Sequence, residues 1–96
     1  MSKIKMINGI EVTGIYVFVK KENTEIEKAF VRIELNDSLV LNGIRIVKGQ
    51  FGHFVSYPGA ENTPFKFIDF MSISLRRELQ NYILQEYCKE LAKEFI

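Results

Sequence analysis

Residues 29–35 read Ala29-Phe30-Val31-Arg32-Ile33-Glu34-Leu35, in which every second side chain is aliphatic. Because successive side chains of a β-strand point to opposite faces, this alternation predicts a strand with one apolar face and one polar face. The next three residues, Asn36-Asp37-Ser38, form a short polar segment suited to a hairpin connection. The stretch therefore predicts a strand that enters an antiparallel hairpin.

Similar signals lie on both sides of this strand. Residues 11–20 predict an earlier strand that is apolar on both faces, and residues 39–48, rich in Val, Leu and Ile, predict the next one. The segment Gly49-Gln50-Phe51-Gly52 predicts a tight turn into a strand over residues 53–57. Residues 65–70 are either a fifth, edge strand or irregular extended chain. We therefore expect a small antiparallel sheet of four to five strands.

The apolar period changes from about 2 to about 3.6 near Ser72. Beyond it, apolar residues recur every four positions without an interrupting proline or glycine, which predicts one α-helix over residues 74–95. Ser74 is the expected N-cap. Strands over roughly residues 11–70 followed by a single helix indicate an α+β fold, with the helix packed on one face of the sheet.

Composition indicates a single domain, residues 1–96, because 96 residues leave no room for a second core. No uncharged apolar stretch approaches the ~18–20 residues of a membrane-spanning helix. The N-terminus lacks the apolar segment of a secretory signal, and one cysteine cannot form an internal disulfide. We therefore expect a cytoplasmic protein with no membrane partner.

Few residues could carry catalysis or hold a metal. The only histidine, His53, and the only cysteine, Cys88, cannot supply a zinc site of the usual nitrogen and sulfur ligands. Cys88 falls on the broad apolar side of the predicted helix, where we expect a small buried side chain. The sequence thus predicts a non-enzymatic protein with no cofactor, no metal and no small-molecule substrate.

The charge balance of 13 basic and 12 acidic residues gives a net charge of +1, which is weak support for a polyanion partner. Cations nevertheless lie among aromatic residues in two places: Tyr16, Phe18, Lys20 and Lys21 share one stretch, and Phe30 and Arg32 share a strand face. A sheet that presents aromatics and cations can stack bases and hold phosphates. The alternative is that the rings form the core and the cations its rim.

Two apolar surfaces favour self-association. The first strand is apolar on both faces, including Tyr16 and Phe18, and the apolar surface of the helix widens through Leu84, Leu91 and Phe95. Large exposed apolar patches mark interaction surfaces, so we expect a two-fold homodimer that buries these five side chains. The other interpretation of the widening is a single broad face that packs on the chain's own core.

The central segment, Ile44-Arg45-Ile46-Val47-Lys48-Gly49-Gln50-Phe51-Gly52-His53-Phe54-Val55-Ser56-Tyr57-Pro58, resembles the signature of the SpoVG family, named after stage V sporulation protein G. The family pattern there is Ile-Arg, two aliphatics, any residue, Gly, two residues, Gly, any residue, Phe-Val, two residues, Pro. The resemblance extends over roughly residues 12–87, including residues 28–36 and the helix from Arg76 to Tyr87.

This resemblance implies a small antiparallel sheet with a C-terminal helix, a homodimer formed partly through strands, and a regulator of septation that binds selected DNA and RNA sites. Five basic residues then become candidate nucleic-acid contacts: Lys28, Arg45, Lys66, Arg76 and Arg77. One departure is that Gly59-Ala60-Glu61 stand where the family usually has Ser and two basic residues. The alternative is therefore a homodimeric protein-interaction module that keeps the fold without binding nucleic acid.

Overall fold

A computed structural model describes residues 4–20, 26–59, 65 and 67–94 of the chain. Five strands form one antiparallel sheet in which each strand lies beside its neighbour in sequence, and one helix follows. The elements are β1 Lys5–Ile7, β2 Ile10–Val19, β3 Glu27–Leu35, β4 Leu39–Gly49, β5 Gly52–Ser56 and α1 Ile73–Glu94. The predicted α+β fold, a small antiparallel sheet followed by a C-terminal helix, is confirmed.

Both predicted turns are present. Between β3 and β4, Asn36 and Asp37 have φ values of 52° and 50°, and the Ser38 N–H donates to the Leu35 carbonyl at 2.9 Å. Asn and Asp tolerate this left-handed conformation better than most side chains, which explains the polar turn. Between β4 and β5, Gly52 has a φ of 123°, a value that only glycine adopts easily.

Strand β1 lies outside the predicted strands. It pairs with the start of β2, from Lys5 opposite Val12 to Ile7 opposite Ile10, through a turn at Asn8-Gly9 with φ values of 51° and 87°. An Asn-Gly pair between apolar residues is a strong hairpin signal, and it could have identified this strand from the sequence. Because β1 has three residues, it covers only the beginning of the ten-residue β2.

The segment before the helix is irregular in its described part, at positions 65 and 67–72. The Phe67 N–H donates to the Pro58 carbonyl at 3.0 Å. The Phe70 ring packs edge-on against Tyr57, with ring centroids 4.8 Å apart. For these residues the expectation of irregular chain holds, and the expectation of an edge strand does not.

The helix begins earlier than predicted. The Leu75 N–H donates to Ser72 Oγ at 3.2 Å, so Ser72 is the N-cap and the prediction of Ser74 is wrong. Ser74 instead occupies the second helical position, because the helix starts at Ile73. Both serines precede the same apolar repeat, and the sequence alone does not distinguish a cap from a first-turn residue.

The core lies between the helix and one face of the sheet. Its buried aliphatic and aromatic side chains come from all five strands and from the helix: Ile7, Val12, Ala29, Val31, Ile33, Ile44, Ile46, Val55, Leu79, Ile83 and Tyr87. Strand alternation places the intervening side chains on the opposite face. That second face is covered by none of the described elements, and it becomes the candidate site below.

The second half of the helix also packs on the core. Tyr87 is buried, and Leu84 and Leu91 are half-buried against the core cluster. This supports the broad core-face interpretation for both leucines, and their role in a dimer stays a prediction. Cys88 is exposed, so the expectation of a buried cysteine is wrong. It follows Tyr87 by one position, which rotates it by about 100° away from the sheet.

Candidate nucleic-acid interface

The uncovered face of the sheet, called the open face below, carries aromatic and charged side chains together. Its members are Tyr16, Phe18 and Lys20 from β2 and its end, Glu27, Phe30, Arg32 and Glu34 from β3, Arg45 from β4 and Phe54 from β5. The four rings are between 42% and 59% exposed. They are not core residues, which contradicts the interpretation that rings form the core and cations its rim.

Cross-strand pairing places the rings beside the cations. Tyr16 lies opposite Arg32, and Phe30 lies between Phe18 on one side and Arg45 on the other. The guanidinium carbon of Arg32 is 5.8 Å from the centroid of the Tyr16 ring. Lys20 Nζ is likewise 4.9 Å from the Phe30 centroid. These distances correspond to cation–π contacts, so the open face is already organised before any ligand binds.

Two carboxylates of β3 hold the same cations. Glu27 forms ion pairs with Arg45 and with Lys20, whose Nζ lies 3.4 Å from Glu27 Oε2. Arg32 Nη2 donates to Glu34 Oε2 at 3.0 Å. The hydrogen bond from Arg45 is the main reason why the pKa of Glu27 is lowered, and Lys20 contributes in the same direction. Glu27 therefore remains ionised at neutral pH.

A β-bulge explains how Glu27 reaches the open face. Glu27 lies opposite Val47 and Ala29 lies opposite Ile46, so two steps along β3 correspond to one step along β4. In a regular strand Glu27 would share the core-facing side of Ala29. The bulge turns it to the side of Arg45 instead, because an extra residue reverses the alternation.

Two glycines make room on this face. A Cβ at Gly14 would collide with the Glu34 carboxylate and would also touch the Tyr16 ring. A Cβ at Gly49 would lie 2.8 Å from Cε1 of Phe54. Both positions therefore allow a side chain of the open face to lie flat against the backbone.

The five predicted basic contacts do not form one cluster. Arg45 lies on the open face, and Lys28 is half-buried on β3 beside the bulge. Arg76 and Arg77 are exposed in the first turn of α1, on the side of the sheet that the helix covers. Lys66 lies outside the described residues. Among the described residues of this set, Arg45 is the one that strand pairing places beside an aromatic ring of the open face.

Six members of the open face were not among the predicted site residues. Lys20, Phe30 and Arg32 were noted only as cations and aromatics on shared strands, and Glu27, Glu34 and Phe54 were not noted as part of a site. Glu34 lies two residues after Arg32 on β3, so the strand period of 2 places both side chains on the same face and could have identified Glu34. Phe54 precedes the buried Val55 and could have been found in the same way. Glu27 could not, because the bulge places it on the face opposite to the one that alternation predicts.

Tyr57 and Arg76 lie near each other at the beginning of the helix. The Tyr57 hydroxyl is buried and has no hydrogen-bond partner within the described residues. Burial raises the pKa of Tyr57 to about 12, and the positive charge of Arg76 acts in the opposite direction. The hydroxyl is therefore neutral, and it belongs to the core side of the sheet with Phe70.

The two edges of the sheet differ. At β5, the Val55 N–H donates to Gln80 Oε1 at 3.3 Å, so a helix side chain covers this edge. At β2, residues 14–19 have no strand partner on the side away from β3, as far as the described residues show. A groove of about 690 Å³ separates this free edge from the helix. Tyr16 and Phe18, two of the predicted dimer residues, line the groove.

Leu84, another predicted dimer residue, packs against the core and also lines a separate depression that includes Cys88. Leu91 packs toward the core, and Phe95 lies outside the described residues. Over the same described ranges, no three His, Cys, Asp or Glu side chains are grouped to hold a metal ion. The helix in this part of the chain is not apolar enough to cross a membrane.

Comparison with known proteins assigns the fold to a family. The SpoVG family model matches residues 10–89. The chain is 37% identical over 71 residues to a protein of Desulforudis audaxviator named "Putative septation protein SpoVG", covering 71% of this chain and 81% of the relative. A relative of the same name from Anaeromyxobacter sp. (strain Fw109-5) is 31% identical over 87 residues, which is 88% of each chain. The chain therefore belongs to the SpoVG family.

Proposed function

We propose that this protein is a non-enzymatic regulator that binds DNA or RNA through the open face. The observation that carries the proposal is the open face itself, where four exposed rings lie among three cations on adjacent strands. Exposed rings can stack on bases, and the cations can contact phosphates. The names of the relatives connect the family with septation, and we extend that process to this chain.

A cytoplasmic location is part of the proposal. Cys88 is an exposed free thiol, and such a side chain is best preserved in a reducing compartment. Nucleic acid is also available there. No catalytic step is proposed for either the thiol or any other side chain.

The second part of the proposal is a homodimer formed through the free edge of β2. Six residues of this edge, 14–19, expose backbone groups that another strand can pair with. An antiparallel pair of β2 strands around a two-fold axis would continue the sheet across both copies. The two open faces would then form one surface, with Tyr16 and Phe18 of each copy near the axis.

A protein-interaction module is the alternative function, and one observation favours it. Glu27 and Glu34 neutralise part of the positive charge on the open face, so phosphate attraction is reduced. A partner protein with mixed polar and aromatic side chains would fit the same surface. In this case the dimer persists, and nucleic acid does not bind.

The test is binding to random-sequence DNA and RNA, measured by fluorescence anisotropy at low salt. We expect binding at micromolar protein and a clear loss in Arg45→Ala, which removes a cation from the open face. Lys89→Ala is the matched control, because Lys89 pairs with Glu86 on the helix. If neither DNA nor RNA binds, the regulator proposal is wrong and the interaction module takes its place.

A further inference from the structure

The core side of the sheet contains a cavity of about 160 Å³ next to the beginning of the helix. Ten of the described residues line this cavity, and nine of them are apolar. We propose that the cavity binds one small, neutral, apolar molecule of about the size of toluene. This binding would be independent of the open face, which lies on the other side of the sheet.

The cavity lies where four parts of the fold meet. The β1–β2 hairpin contributes Ile7, the β3–β4 hairpin contributes Leu35 and Leu41, and the helix contributes Leu79. The irregular segment before the helix supplies Phe70, whose ring also packs against Tyr57. Because these parts are far apart in the sequence, the cavity exists only in the folded chain. A molecule bound there would therefore stabilise the folded state.

The volume of the cavity exceeds that of an ordinary packing gap. Protein interiors contain few voids larger than a water molecule, because side chains beside a void lose their dispersion contacts. A molecule that fills the space would restore these contacts. Cavities of about 150 Å³ lined by leucine, isoleucine and phenylalanine side chains bind benzene, so the volume here suits a single small ring.

The walls of the cavity disfavour water as its occupant. A buried water molecule requires two to four polar partners, and hydrocarbon side chains such as those of Ile10, Val12 and Leu75 provide none. Cavities with walls of this kind stay dry. An apolar ligand thus gains contacts with the walls without displacing an ordered water molecule.

The charge beside the cavity selects against anions. Asp69 is the one polar residue among the described residues that line the cavity, and it is exposed. Its Oδ1 accepts the N–H of Phe70 at 2.9 Å, which holds the carboxylate beside the segment before the helix. A ligand carboxylate would be repelled by this charge and would lose its hydration on entering an apolar space. We therefore expect neutral molecules to bind and carboxylates of the same shape to be excluded.

The experiment titrates the full chain with toluene and follows the δ1 methyl groups of its isoleucines by NMR. The methyl groups of Ile7, Ile10 and Ile68, which line the cavity, should shift in a saturable way with a Kd on the order of 1 mM. The methyl group of Ile46, which is buried outside the lining, should not shift. Benzoate, which carries a carboxylate on the same ring, should produce no shift at the same concentration.

Two variants fill the cavity. Leu41→Phe and Leu35→Phe each place a ring in the space, and each should abolish the response to toluene. Leu84→Phe is the matched control, because Leu84 lines a separate depression, and it should retain the response. Toluene at about five times its Kd should raise the Tm of the wild type by about 4 °C and leave the Tm of Leu41→Phe unchanged. The same melts show whether each variant is folded, and Leu35→Phe provides the test if Leu41→Phe is not.

Four results would overturn the inference. Toluene that shifts none of the three lining methyl groups would show that the cavity is closed in solution. An equal shift at Ile46, or an unchanged response in a folded cavity-filling variant, would place toluene elsewhere. Benzoate that binds as tightly as toluene would contradict the selection for neutral molecules. Shifts of Ile7 and Ile68 that depend on protein concentration and not on toluene would assign the cavity to a side chain of a second copy.

Discussion

Glu27 and Arg45 lie on neighbouring strands and form an ion pair on the open face, because a β-bulge brings the carboxylate to the side of the guanidinium. The other oxygen of the same carboxylate contacts Lys20. A carboxylate between two cations occupies the kind of position that a phosphate oxygen would take. An anion that bound at this site would therefore compete with the Glu27 carboxylate.

Neutralising Glu27 should strengthen nucleic-acid binding. In Glu27→Gln, Arg45 and Lys20 lose a charged partner, so we expect tighter binding of oligo-dT. The salt slope should steepen by about 0.7 for each cation that becomes available to phosphate. Glu78→Gln, an exposed change on the helix, is the control. Weaker binding in Glu27→Gln would instead mean that the carboxylate positions Arg45 for its ligand.

The same ion pair should make stability depend on pH. The pKa of Glu27 is lowered in the folded state from its ordinary value of 4.5, chiefly by the hydrogen bond from Arg45. The stabilisation is thus present above 4.5 and is lost as the pH falls through the lowered pKa. Urea melts of the wild type and Glu27→Gln should differ at pH 7 and converge in acid. A difference that persists unchanged in acid would contradict this.

Ser72→Ala should destabilise the protein, and Ser74→Ala should not. Ser72 Oγ accepts the Leu75 N–H at the start of the helix, and loss of such a cap costs about 1 kcal/mol of the free energy of unfolding. Ser74 is the second residue of the helix and is exposed. Chemical denaturation of both variants measures the difference. An equal loss of the free energy of unfolding in both variants would contradict the assignment of Ser72 as the N-cap.

Tyr57→Phe should be tolerated at neutral pH and stabilising in alkali. The buried hydroxyl has no hydrogen-bond partner in the described part of the chain, so its removal should change the free energy of unfolding by no more than about 1 kcal/mol. Because burial raises the pKa of Tyr57 from 10.0 to about 12, wild-type stability should fall as the pH rises through this interval. The variant has no hydroxyl to ionise at this position, so its stability should not show this fall. A clear loss at pH 7 would indicate a partner for the hydroxyl.

Phe18→Asp should dissociate the proposed dimer. If two β2 edges pair around a two-fold axis, the new carboxylates of both copies would lie close together, and like charges opposite each other destabilise paired strands. Light scattering after size exclusion should report twice the 11.2 kDa chain mass for the wild type and a single mass for the variant. A wild-type mass near 11.2 kDa at micromolar concentration would rule out this dimer.

Much of the fold could be predicted because its signals are local. The alternation along Ala29–Leu35 fixes both faces of β3, and the polar turn after it adopts the left-handed conformation that its residues favour. The four-residue apolar repeat identifies the helix, although it does not distinguish Ser72 from Ser74 as its cap.

The site was only partly predictable because it depends on pairing between strands. Tyr16, Phe30 and Arg32 could be assigned to shared strand faces from their spacing alone. The exposure of these side chains could not be predicted in this way, because it depends on which face of the sheet the helix packs against. The ion pairs of Glu27 depend on a bulge, which is a property of two strands together and leaves no mark in the local period.

The three-residue length of β1 has a consequence for any strand that joins the sheet beside it. Since β1 already pairs with residues 10–12 of β2, an incoming strand cannot slide past Thr13. Sheet edges without such a limit permit slipped registers and open-ended growth into fibres. The short hairpin at Asn8-Gly9 thus limits the register of such a strand at one end of this edge, which disfavours open-ended growth of the sheet.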